Sequence, residues 1–222
     1  MKTKFIFLQI IMIFIFLSSL LTGCFSIDEK SDEYKTAKEN LEKDDFFKEN
    51  ESKESKSPPK EMWSDSAIAI LIEDVYNKID KIDKNVSVAV KQFKKISRLL
   101  ANGQAAIYDA YKAAEIAKKT CSDANYSMHD LMSSFPDGVS DSLRFAIGDI
   151  ATCYYTRMIA YESAMNYYNE LKPEYLSEFE ENISSADDYL VSGTAKLMIL
   201  KEKYKKYNTK KRKCLVLKIG VQ

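Results

Sequence analysis

Six glycines and four prolines in 222 residues leave little material for tight turns. That scarcity excludes a loop-rich or many-stranded fold and favours long regular elements. The single histidine, His129, stands beside Asp130; a metal centre needs several His, Cys or carboxylate ligands converging, and none is spaced for it. Glycine-rich phosphate loops, nucleophiles with a paired base and cysteine pairs at zinc spacing are also missing. Neither sign of charge is in excess, with 33 basic against 33 acidic residues, so no global field recruits nucleic acid. The expectation is a protein that is not an enzyme, has no cofactor or metal and does not bind nucleic acid.

What is present begins at the amino terminus. Lys2 and Lys4 precede an apolar run over residues 5–21, and Leu21, Thr22, Gly23 and Cys24 follow the pattern of a lipobox. This segment resembles bacterial lipoprotein signal peptides. The resemblance implies that residues 1–23 are removed, that the Cys24 thiol carries a diacylglycerol and that the new amine is often acylated as well. Two or three acyl chains, at about 0.8 kcal/mol per buried methylene, anchor a protein stably where one chain does not. An uncleaved transmembrane anchor is the alternative, but no basic stop-transfer cluster follows and the apolar run is short for a span.

Residues 24–63 are dominated by Lys, Glu, Asp, Ser and Asn. Such a stretch buries too little apolar surface to offset its ordering entropy. It reads as a disordered charged tether with an end-to-end distance of about 35 Å. Past Pro58 and Pro59 the pattern changes to apolar residues at alternating steps of four and three, the seam of a packed helix. Ile68, Ile72, Val75, Ile79, Ile82, Val86, Ala89, Phe93, Ile96 and Leu100 define the first seam. Ser64 is placed to cap it and Asn102-Gly103 to stop it. A second seam runs from Ile107 to Phe135, with weak helix formers over residues 122–127 where it is expected to fray. A third runs from Leu143 to Leu171, and a fourth from Leu176 to Tyr207. Short turns between helices of about 32 to 38 residues predict an all-α, antiparallel up-down four-helix bundle over residues 64–207. A three-helix bundle, with Pro173 only kinking one long helix, is the alternative. Residues 208–222 form a basic and apolar tail.

Cys121 and Cys153 each lie sixteen residues from Asp137, at one height in a hairpin turning at Pro136-Asp137-Gly138. Oxidation in an exported compartment predicts a disulfide between them, worth roughly 3 to 4 kcal/mol for the loop it closes. Two buried free thiols filling small apolar positions are the alternative. Cys214 has no evident partner.

Three surfaces are candidates for recognition. Tyr155 and Tyr167 fall off the main seam of the third helix, and tyrosine offers rigid contact area with a hydrogen-bonding tip. Arg98, Gln104, Tyr168, Glu170, Lys172, Glu174 and Tyr175 decorate the end of the bundle away from the tether. The basic carboxyl end, from Lys201 to Lys213, points back toward a membrane, where anionic headgroups attract basic residues at about 1 kcal/mol each. Solvated caps and a wider core stripe are the plain readings of these features.

Across the whole chain, lipobox, charged stalk and helical domain resemble the helical surface lipoproteins of Borrelia-type spirochaetes. The resemblance is compositional and architectural, and it carries no binding residue past Cys24. It implies a membrane-anchored protein at the outer surface of the cell envelope that binds a host or extracellular protein, including complement regulators of the factor H kind. A structural or chaperone-like periplasmic lipoprotein that self-associates through its helices is the other expectation.

Overall fold

The structure, a computed structural model, describes residues 64–219 together with Lys35, Thr36 and Glu39; side chains are described as far as Lys205 and at Tyr207. The leader, Cys24, nearly all of the tether and the side chains of the tail, Cys214 included, lie outside the described residues. Among the described residues four long helices follow one another: α1 (Asp65–Ala101), α2 (Ile107–Ser133), α3 (Asp141–Glu170) and α4 (Glu174–Ile219). Among the described residues there is no strand. None of the described helices is long and apolar enough to cross a membrane.

Packing follows chain order, α1 on α2, α2 on α3, α3 on α4, with α4 returning to α1. The four-helix up-down bundle is therefore closed, and the three-helix alternative is not adopted. Pro173 does not kink a long helix. Leu171 ends α3 with a left-handed backbone, φ 55°, and Pro173 sits immediately before the first residue of α4, where its missing N–H costs nothing. Ser64 caps α1 by accepting from the Ala67 N–H at 3.3 Å. Ser140 caps α3 by accepting from Ser142. Gly103, at φ 69°, closes the first turn as expected.

Helix lengths depart from the even set expected, at 37, 27, 30 and 46 residues. Residues 122–127 do not fray. They remain helical, and Ser127 Oγ returns a hydrogen bond to the Asp123 carbonyl at 2.8 Å. The backbone of α4 runs on past Tyr207 to Ile219.

The core is one continuous cluster from all four helices, with Ile72, Val75, Ile79, Phe93, Met128, Leu143, Ile147, Ile150 and Leu197 almost wholly enclosed. Each such side chain contributes about 1.5 to 3 kcal/mol on burial. Phe93, Tyr161 and Phe179 from three helices meet with ring centroids 5.2 to 5.9 Å apart. On α1 the buried line drifts from the expected seam: Asp83, Ser97 and Ala101 are buried, while Ile82, Ile96 and Leu100 are half-buried. A helix turning every 3.6 residues moves off a strict seven-residue pattern by about 20° per heptad.

Candidate functional sites on the bundle

Ser97 Oγ and Tyr168 Oη lie 3.2 Å apart across the bundle, so the α1–α2 and α3–α4 turns share the end away from Ser64. Three large apolar side chains are exposed at this tip: Ile107, Tyr108 at 65 % and Leu171 at 48 %. The seam pattern places Ile107 and Leu171 in the core; the structure turns both outward, because Ile107 is the first residue of α2 and Leu171 caps the end of α3, where no facing neighbour covers them. Lys112 lies 5.7 Å over the Tyr108 ring. Arg98, Gln104, Lys172 and Glu174 are exposed at this end, as expected, and Tyr175 is half-buried.

Part of the tip is knitted together. Lys172 pairs with Glu170 at 2.6 Å and lies over the Tyr175 ring, whose hydroxyl donates to Glu170 at 3.4 Å. Hydrogen bonding from Lys172 holds the Glu170 carboxyl below its usual range and the Lys172 ammonium above its own. Tyr168 is pushed up to about 12 by burial, against the opposing pull of its Ser97 bond. Glu174 occupies the first turn of α4, where a carboxylate faces the positive end of the helix dipole.

Tyr167 is not a surface residue. It is 5 % exposed, and its ring meets Tyr168 at 5.6 Å. The buried stripe of α3 is wide enough toward α4 to enclose Ala160, Ser163, Ala164 and Tyr167 together. Tyr155 is exposed at 49 % and belongs to a different face, with Phe145 at 59 %. His129 and Asp130 are exposed on α2. Among the described residues no group of three or more His, Cys, Asp or Glu is placed to hold a metal ion. A groove between α1 and α2, beside Lys78, Lys81, Asn85, Ser127 and Asp130, is wide open to solvent.

Cys121 and Cys153 lie on the facing helices α2 and α3 as free, buried thiols. The bridge expected between them is not formed in the structure, and both fill small apolar positions. Burial pushes Cys121 up to about 12 and Cys153 to about 11, with Arg157 pulling weakly the other way. Both are therefore protonated and unreactive at neutral pH.

The bundle centre also holds charges that the apolar pattern conceals. Arg157 is buried and donates to Asp187 across α3 and α4 at 2.8 Å. Burial works against its charge, but Cys153 and the hydrogen-bonded Asp187 carboxylate outweigh that and raise its pKa. Tyr154 donates to buried Asp83 at 3.0 Å, and burial followed by that carboxylate raises the phenol. Sequence reading places Tyr154 on the seam and passes over its three charged neighbours, since a charged residue at a core position breaks the pattern used to find cores. Comparison with known protein families, curated proteins and solved structures finds no match.

Proposed function

We propose that this chain is a lipid-anchored surface protein of the bacterial envelope whose bundle binds a host or extracellular protein through its distal tip. The supporting observation is the exposure of Ile107, Tyr108 and Leu171 at the end opposite Ser64. A monomer gains nothing by showing three large apolar side chains at one end, whereas an interface core uses them with Arg98, Gln104 and Lys172 as its polar rim. The lipobox at Cys24 supplies the membrane partner, and the resemblance to spirochaete surface lipoproteins suggests a complement regulator such as factor H as the soluble one. On this reading the protein works by binding.

The test is capture from serum by the full chain, with Tyr108→Ala and Leu171→Ala compared. Loss of about 2 kcal/mol per anchor, or roughly thirtyfold in Kd, is expected for interface hot spots. Capture of no serum protein, or unchanged capture by both variants, removes the reading. Radiolabelled palmitate is expected in the wild type and absent from Cys24→Ala; protease shaving of intact cells is expected to remove the bundle.

A further inference from the structure

Gly148 stands in the middle of α3, and a methyl group added to it meets nothing within 4 Å. Mid-helix glycine lowers helix stability, so one with no neighbour to accommodate has no explanation inside its own chain. Its surroundings supply one. Phe145, Gly148, Thr152 and Tyr155 follow at steps of three, four and three, which aligns them on the outward side of α3. Thr152 Oγ1 donates to the Gly148 carbonyl at 2.9 Å and Thr156 Oγ1 to the Thr152 carbonyl at 2.9 Å, so the hydroxyls are occupied within the helix.

Most charged side chains beside this face are held in pairs, while Asp141 is exposed one turn before Phe145. Arg144 donates to the Met132 carbonyl at 3.1 Å, Asp149 pairs with Lys196 at 2.6 Å, Arg157 is buried on Asp187, and Glu162 pairs with Lys118 at 2.8 Å. The Lys118–Glu162 and Met132–Arg144 contacts set the α2–α3 register. That register puts Tyr126, 67 % exposed on α2, at the height of Gly148 to Thr152.

We propose that this face of α3, flanked by Tyr126, is the contact surface of a two-fold symmetric dimer of the chain, with α3 crossing its counterpart antiparallel. The occupant is a second copy because the stripe reads the same in both directions. Aromatic, small, small, aromatic at mirrored spacing about position 150 sets Phe145 against Tyr155 of the other copy and Gly148 against Thr152, as an isologous contact requires. The mirror about position 150 sets exposed Asp141 opposite Ile159 of the other copy and not opposite a second carboxylate, so the face meets itself without like-charge repulsion. Glycine and threonine let the two backbones approach while the rings close over them on either side. Three exposed rings per copy, each offering part of its 150 to 250 Å², with the threonines and Ile159, bury about 1,000 Å², the low end for a specific interface. This contact is separate from the tip and leaves it open.

Sedimentation velocity of the full chain in detergent, over a range of concentrations, tests it. The wild type is expected to show a reversible monomer–dimer equilibrium. Phe145→Lys and Tyr155→Glu are each expected to raise the dimer dissociation constant at least about tenfold. Combined in one chain they restore association, now weakened by salt, because each lysine faces a glutamate of the other copy; within one chain the two are about 15 Å apart along the helix and do not meet. Gly148→Ala is expected to raise the thermal midpoint and weaken the dimer at once, two effects that a purely local role does not produce together. A wild type that stays monomeric at about 100 µM, a level at which weak dimers form, overturns the proposal. So does unchanged association in both single variants, or failure of the combined variant to recover.

Discussion

The two sides of α3 set a useful contrast. Toward α4 it meets Gly193, where an added methyl lies 2.7 Å from the Ala146 carbonyl oxygen and 2.7 Å from Ile150 Cγ1; toward solvent it presents Gly148, where the same methyl meets nothing. On the inner side sit Arg157 with Asp187 and Asp149 with Lys196 and Ser192. On the outer side are Phe145, Thr152 and Tyr155. Charged pairs thus lie on the inner side beside buried Tyr154 and Tyr161, while Phe145 and Tyr155 of the same helix are exposed. Residue type alone therefore does not assign a position to core or surface in this bundle; the pairing of each charge and the rotation of the helix do.

Breaking the inner side has the largest expected effect. Asp187→Ala leaves the Arg157 guanidinium buried without its partner, at a cost of about 3 to 5 kcal/mol. The thermal midpoint followed by circular dichroism is expected to fall by roughly 10 to 15 °C, and Arg157→Met combined with Asp187→Leu to recover most of it. An unchanged midpoint in Asp187→Ala rules out a structural role for the pair.

Alkaline pH probes the same interior through Cys121 and Cys153. Unfolded thiols release their protons near 9.0, whereas the buried ones hold them to about 12 and 11. Each folded pKa lies above its unfolded value, so the stabilisation is complete below pH 9 and is lost as pH rises toward 11. The slope is about 1.4 kcal/mol per pH unit for each thiol. Urea titrations at pH 8 and pH 10 are expected to show this loss, and Cys121→Ala with Cys153→Ala to flatten it. Iodoacetamide labelling at pH 8 only after denaturation accompanies it.

The glycine pair sharpens the contrast by sign. Gly193→Ala is expected to destabilise by about 1 to 3 kcal/mol, because backbone and a core side chain must move. Gly148→Ala is expected to stabilise the monomer by about 0.5 to 1 kcal/mol through helix propensity alone. Equal effects at the two sites in thermal melts make the distinction between the faces of α3 untenable. Smallest is Thr194, a buried residue whose Oγ1 has no hydrogen-bond partner. Thr194→Val removes that polar atom at constant shape and is expected to stabilise by up to about 1 kcal/mol in denaturant titration.

The bundle itself was legible in the chain. Ser64, Asn102-Gly103, Pro136-Asp137-Gly138 and Pro173 mark the turns by local backbone chemistry. The apolar seams between them depend on helical period, which needs no knowledge of neighbours. The exposure of Arg98, Gln104, Lys172 and Tyr155 was legible for the same reason. Tyr167 was not: its burial depends on how far α4 wraps around α3. Ile107 and Leu171 carry the period of the core yet lie where no facing helix remains.

Sequence by itself determined where the helices lie and that they pack along their length, because capping and periodicity are encoded over a few neighbouring residues. Only the tertiary structure decided that Arg157 finds Asp187, that Asp83 finds Tyr154, that one mid-helix glycine is wedged and another is open, and which tyrosines face outward. Those outcomes depend on the distance between helices and on their relative rotation, quantities set jointly by every side chain in the core.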